Sequence, residues 1–145
     1  MTLKDFIDAC GFEGVVVPDA QAAVTGAYTS DLLSDAMAHC PDGAVLVTVQ
    51  NHKNSVAVCT LVGSPAILVV HSREIPEDMR TVAQREGVAL LRTPDDQFTA
   101  SCKIGAVLAM SGRDAPSQAS VSGRDASPQA SADGSGNRPY HQTRG

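Results

Sequence analysis

The chain has 145 residues and a mass of 15.0 kDa, the size of one domain, with 43% hydrophobic and 19% charged residues. Aromatics are 3% with no Trp, and the formal net charge is −5, which argues against both the stacking platforms and the basic face of a nucleic-acid binder. Residues 1–110 hold seven Lys/Arg and thirteen Asp/Glu, a net of −6, so only local groups would attract an anion there.

The first element is an amphipathic helix over Leu3–Cys10, ended by Gly11. Glu13–Val17 reads as a strand stopped by Pro18-Asp19, and Val24–Tyr28 as a second short strand. After Thr29-Ser30 a helix is expected, with Leu32, Leu33, Ala36, Met37 and Cys40 on its apolar face and Asp31 in its first turn. Pro41-Asp42-Gly43 turns into Ala44–Val49, apolar on both faces as in a central parallel strand. His52–Val62 reads as a helix capped by Gly63, and Ala66–Val70 as another buried strand. Pro76–Glu86 is a helix that Gly87 ends, and Val88–Leu91 a strand. Thr93-Pro94-Asp95-Asp96 opens a last helix, with Phe98, Cys102, Gly105 and Leu108 on one face.

Strands alternating with helices predict a single α/β domain over 1–110, with a mostly parallel sheet of about four to five strands covered by helices. The strand order is not legible. Residues 111–145 differ in kind: Ser, Gly, Ala and Pro make up 20 of 35, with no Leu, Ile, Phe or Met. Such a segment cannot offset its ordering entropy by burial, and a disordered tail is expected. It carries a two-copy, 11-residue duplication, 111–120 and 122–131.

No apolar signal core is visible near the start, and the longest apolar run, 65–70, is far short of the ~20 residues that span a bilayer. The four cysteines form no CxxC pair and read as small buried hydrophobes, which fits a cytoplasmic setting. The four histidines lack metal-ligand spacing, so no metal site is expected, and no cofactor is implied.

The polar residues most able to carry chemistry fall at two strand-to-helix junctions. Gln50, Asn51, His52, Lys53, Asn54 and Ser55 follow an apolar strand that ends at Thr48-Val49. Ligands sit at this edge of open α/β sheets, because free N–H groups and the helix dipole face outward there. The other junction is Ser30-Asp31-Leu32-Leu33-Ser34. Two readings stay open. Ser30, Asp31, Ser34, Thr48, Gln50, Asn51, His52 and Asn54 hold a phosphorylated or nucleotide-like molecule. Or Asn51 or Asn54 caps a helix while Gln50 and His52 brace the loops and Asp31 is a first-turn acid. No phosphate-binding loop, dinucleotide fingerprint or nucleophile elbow occurs, and no nucleophile–base pair is evident.

At these junctions the chain resembles the DRTGG domain family, over roughly Val15 to Leu108. The family's Gly-Asp-Leu-Leu-Ser corresponds to Ser30-Asp31-Leu32-Leu33-Ser34, with Ser in place of Gly. Its Thr-x-Gln-x-His-x-Asn, ahead of a Val-Ala-rich helix, corresponds to Thr48, Gln50, His52 and Asn54 before Val56-Ala57-Val58. The five letters that name the family do not occur. Such domains are similar to the N-terminal domain of HPr kinase/phosphorylase, sit beside nucleotide-sensing modules in regulatory proteins and support dimers. The resemblance implies a non-catalytic regulatory or ligand-sensing module, and a homodimer or a regulatory partner protein. The alternative is a ligand-free dimerisation or adaptor domain, with an enzyme of unrecognised type as a third reading. Kinase activity is rejected because the phosphate-binding loop is missing. Neither nucleic acid nor a membrane is expected as a partner.

Overall fold

In the computed structural model, which describes residues 1–112, the chain forms α1 (Leu3–Cys10), β1 (Glu13–Val16), β2 (Gly26–Thr29), α2 (Leu33–His39), β3 (Ala44–Thr48), α3 (Lys53–Val62), β4 (Ala66–Val69), α4 (Glu77–Glu86), β5 (Ala89–Arg92) and α5 (Gln97–Ser111). The expected disorder and duplication of the tail lie outside the described residues. The five strands make one sheet in the order β1-β5-β4-β3-β2. β2, β3, β4 and β5 are mutually parallel, and β1 joins β5 antiparallel, with an irregularity between Gly14 and Val16. The fold is therefore α/β with a mostly parallel sheet, as the alternation of patterns implied.

The strand order decides where the helices go. β2 to β5 follow one another as neighbours, so each right-handed crossover lands on the same face. Ala36 of α2, Val56 and Cys59 of α3, and Met79 and Ala83 of α4 pack there on Leu46, Ile67 and Leu90. The opposite face is left to α1 and α5, whose Leu3, Phe6, Ala100 and Ile104 cover Val45, Val47, Leu68 and Leu91. Every residue of β3 and β4 is buried, because both faces of those strands are covered. No described helix is long and apolar enough to cross a membrane.

Local chemistry sets the helix ends. Thr2 caps α1 through its hydroxyl, which accepts from the Asp5 N–H at 3.1 Å, and Asp96 accepts from the Thr99 N–H at 2.8 Å at the start of α5. α3 ends at Gly63, with φ +78°, the left-handed backbone that favours glycine.

Several expectations are corrected. β2 begins at Gly26 because residues 22–24 pair with the N-terminus instead: Leu3 N–H donates to Ala22 O and Val24 N–H to Met1 O. α2 begins only at Leu33, so Asp31 precedes it, Asp35 is its first-turn acid, and Leu32 and Met37 stand exposed. α3 starts at Lys53 with His52 as its N-cap, and α4 at Glu77 with Pro76 before it. α5 is rotated from the expected face. It buries Ala100 and Ile104 and packs Val107 and Leu108 on the core, while Phe98 is 78% exposed and Cys102 and Gly105 also face solvent. α5 is apolar on nearly every side, so spacing alone could not choose its inner face.

Ile104→Ala should cost about 2–5 kcal/mol, and Phe98→Ala should stay within about 0.5 kcal/mol. Urea denaturation at low protein concentration checks this, and equal losses would restore the face that the spacing suggested.

Candidate functional site

Because β2, β3, β4 and β5 run parallel, the segments that follow them (30–32, 49–52, 70–76 and 93–96) share one edge of the sheet. Backbone bonds stitch these segments into a row. Ser30 N–H donates to Val47 O and Val70 N–H to Thr48 O, at 3.1 and 3.2 Å. His71 N–H donates to Asp95 O and Ser72 N–H to Thr93 O, both at 2.9 Å.

Asp31 is the hub of the row. One of its carboxylate oxygens, Oδ1, accepts from the Val49 N–H at 2.9 Å, the Thr48 hydroxyl at 3.2 Å and the Gln97 amide at 2.8 Å. Its main-chain oxygen accepts from the Gln50 side-chain amide at 2.7 Å. The buried Thr48 hydroxyl in turn accepts from the Gln50 N–H at 3.1 Å. β5 ends in the same device, with Thr93 Oγ1 accepting from the Asp95 N–H at 3.2 Å. Asn51 reaches across to the β4 segment and donates to Glu74 O at 2.7 Å.

These bonds sort the eight candidate residues into two layers. Asp31, Thr48, Gln50 and Asn51 form an inner layer committed to other protein groups. His52 and Asn54 form an outer layer with Lys53, all three exposed in the first turn of α3. His52 Nδ1 accepts from the Asn54 N–H at 3.2 Å, and its main-chain oxygen accepts from the Ser55 hydroxyl at 2.6 Å. An imidazole that accepts at Nδ1 carries its proton on Nε2, so His52 presents a donor outward. The cap is therefore His52 rather than Asn51 or Asn54. Ser30 holds its own turn, its hydroxyl accepting from the Leu32 N–H at 3.2 Å with no left-handed φ, so glycine is not needed there. Ser34 is exposed in α2 and, among the described residues, joins none of these bonds.

Sequence reasoning missed His71 and Ser72. Both have left-handed backbones, with φ of 62° and 52°, which costs non-glycine residues roughly 1–2 kcal/mol each. Their bonds to the β5 segment hold them there, beside exposed Arg73. A missing glycine leaves no compositional sign of such a turn. Gln97 was missed as well, being an ordinary polar residue at a helix start.

The electrostatics are local. Lys103 pairs with Asp95 at 2.7 Å through Oδ2, an oxygen shielded from water for which this contact is an ion pair rather than an aligned hydrogen bond. The Lys103 ammonium, with help from Thr93, holds the Asp95 carboxyl below the ordinary carboxylate range. Burial pushes the Cys10 and Cys40 thiols up, and that of Cys59 to about 12, which leaves them poor nucleophiles. Two concavities of about 430 and 230 Å³ lie elsewhere, beside α4 and between α3 and α4. The edge is an open shelf.

Asp31→Ala strands three donors and should destabilise the fold by about 1–3 kcal/mol, against less than about 0.5 for the exposed Asn54→Ala. Thermal denaturation distinguishes them at ~4–8 °C per kcal/mol. The depressed Asp95 carboxyl contributes stability that is present above the unfolded value of about 3.9 and lost as pH falls through the lower folded value. An acid titration of stability should therefore flatten below about pH 4 in Asp95→Asn.

No family model matches the chain, and no curated protein does. Solved structures do match. One is the crystal structure of the CBS and DRTGG domains in the regulatory region of Clostridium perfringens pyrophosphatase, complexed with the activator diadenosine tetraphosphate. The TM-score is 0.58 at 14% identity, over 71% of this chain, which spans 45% of that structure. At this identity the likeness is one of fold. This match supports a DRTGG-domain fold for the chain.

Proposed function

We propose that the chain is a non-catalytic regulatory module that binds a small phosphorylated or nucleotide-like ligand on the shelf formed by the β3 and β4 segments. The observation that carries this reading is the division of the site into layers. Asp31, Thr48, Gln50 and Asn51 fix the loops, and His52, Lys53 and Asn54 remain free at the amino end of a ten-residue helix. That end carries the positive pole of the helix dipole, which suits an anionic group. The Nε2–H of His52 and the Lys53 ammonium add donors of the right kind. His71, Ser72 and Arg73 border the shelf on the adjacent strand's segment.

Two further points support the reading. The pyrophosphatase region with which the chain shares its fold is regulatory and carries a nucleotide activator. The buried thiols of Cys10, Cys40 and Cys59 are unsuited to attack a substrate. The four free cysteines are in keeping with a reducing, cytoplasmic setting.

The test is a thermal-shift panel of nucleotides, dinucleotides, phosphosugars and inorganic phosphate. A ligand at ~100 times its dissociation constant adds about 2.7 kcal/mol to the folded state, a midpoint rise of roughly 10 °C or more. His52→Asp with Lys53→Met keeps a capping acceptor and removes the outward donors, so the rise should vanish in that variant. A flat panel for the wild type, or a rise that the variant retains, would contradict the reading.

A further inference from the structure

The larger of the two concavities, about 430 Å³, lies between one flank of α4 and the edge strand β1. That volume falls in the range of small-molecule sites. Glu77, Arg80, Thr81 and Gln84 line it from α4, at the spacing that puts residues on one side of a helix, and Val16 lines it from β1. Arg85 completes the lining, but its Nε is paired with Glu86 at 3.3 Å. Arg92 and Glu13 nearby hold each other at 3.0 and 3.1 Å.

Arg80 and Glu77 differ from these. Among the described residues neither joins an ion pair, although opposite charges one turn apart on a helix commonly meet. Arg80 is half-buried, and its Nε donates to Ile75 O at 3.0 Å. That bond anchors the guanidinium and leaves its terminal nitrogens with no hydrogen bond among the described residues. The cavity therefore presents one anchored cationic fork and one carboxylate, both uncompensated among those residues.

We propose that this cavity binds a free α-amino acid, its carboxylate on Arg80 and its ammonium on Glu77. A guanidinium fork matches a carboxylate through paired, parallel hydrogen bonds. The Thr81 hydroxyl donates to Glu77 O at 3.1 Å, so its oxygen keeps a lone pair that can accept from the ammonium. Gln84 carries both a donor and an acceptor for a polar side chain, and Val16 offers an apolar contact to its methylene. The charges also select against other ligands. A phosphate would bring nearly two negative charges beside Glu77, in a domain of net −6, with Arg80 the one lining cation not already paired. A plain amine would leave the fork empty, and a plain carboxylate would leave Glu77 without a partner. A zwitterion satisfies both. The cavity shares no residue with the shelf of His52, Lys53 and Asn54, so either reading can fail without the other.

Titration of the full chain with each of the protein amino acids up to about 10 mM, followed by amide NMR shifts, tests the proposal. At least one should give saturable shifts centred on Val16, Thr81 and Gln84, with a dissociation constant on the order of millimolar. Its N-acetyl and methyl-ester forms, each lacking one charge, should bind at least about tenfold more weakly. Glu77→Gln and Arg80→Met should each weaken binding by as much. Arg80→Met also gives up the bond to Ile75 O, whereas Glu77 is exposed, so Glu77→Gln decides the matter if Arg80→Met fails to fold. His52→Asp with Lys53→Met should bind the amino acid as the wild type does. The proposal is overturned if no amino acid gives a saturable shift, or if either derivative or Glu77→Gln binds undiminished. Shifts centred on residues 49–54, or loss of binding in the His52 and Lys53 variant, would overturn it too.

Discussion

The carboxylate of Asp31 is the interaction on which the sheet's working edge depends. It takes the Thr48 hydroxyl and the Val49 N–H from the end of β3 and the Gln97 amide from the start of α5. These three donors come from segments far apart in sequence, and each would otherwise need water or another acceptor. With Asp31 in place, the end of β3, the turn after β2 and the first residue of α5 form one unit. His52 can then cap α3 while its Nε2–H stays directed away from the protein.

The strand order gives that unit its setting. A sheet whose parallel strands follow one another as neighbours sends α2, α3 and α4 to one face. Among the described residues the other face is covered by α1 and α5, with Phe12 and Val24 beside them. α5 leaves β5 at the edge where the polar segments converge, and it meets β2 through the Thr29–Ser101 hydroxyl contact at 2.8 Å. One helix is therefore joined to the polar edge at its first turn and turns an apolar side outward along the rest of its length.

Much of this was legible in the sequence, for reasons that can be located. The runs 44–48 and 66–69 read as central strands because nothing polar interrupts them before Thr48, and burial on both faces permits such a run. Gly11, Gly63 and Gly87 marked helix ends because each takes the left-handed backbone that ends a helix. The two polar junctions stood out because six polar side chains in a row exceed what a turn needs. The inner face of α5 was not legible, since a helix with one charge has no polar side to point away from the core. Asp31 was misplaced because an acid just before an apolar helical pattern reads as part of its first turn. Its true partners are Val49 and Gln97, which are 18 and 66 positions away, and no local pattern encodes such distances. The left-handed His71 and Ser72 were invisible for a related reason, since tertiary bonds to the β5 segment hold that turn.

Amide hydrogen exchange on Asp31→Asn tests the central claim most directly. The account predicts faster exchange at Val49, Gln50 and the first turn of α5, with β4 as protected as in the wild type. Unchanged protection at Val49 and α5, or a uniform loss across the sheet, would contradict Asp31 as the hub that joins these segments.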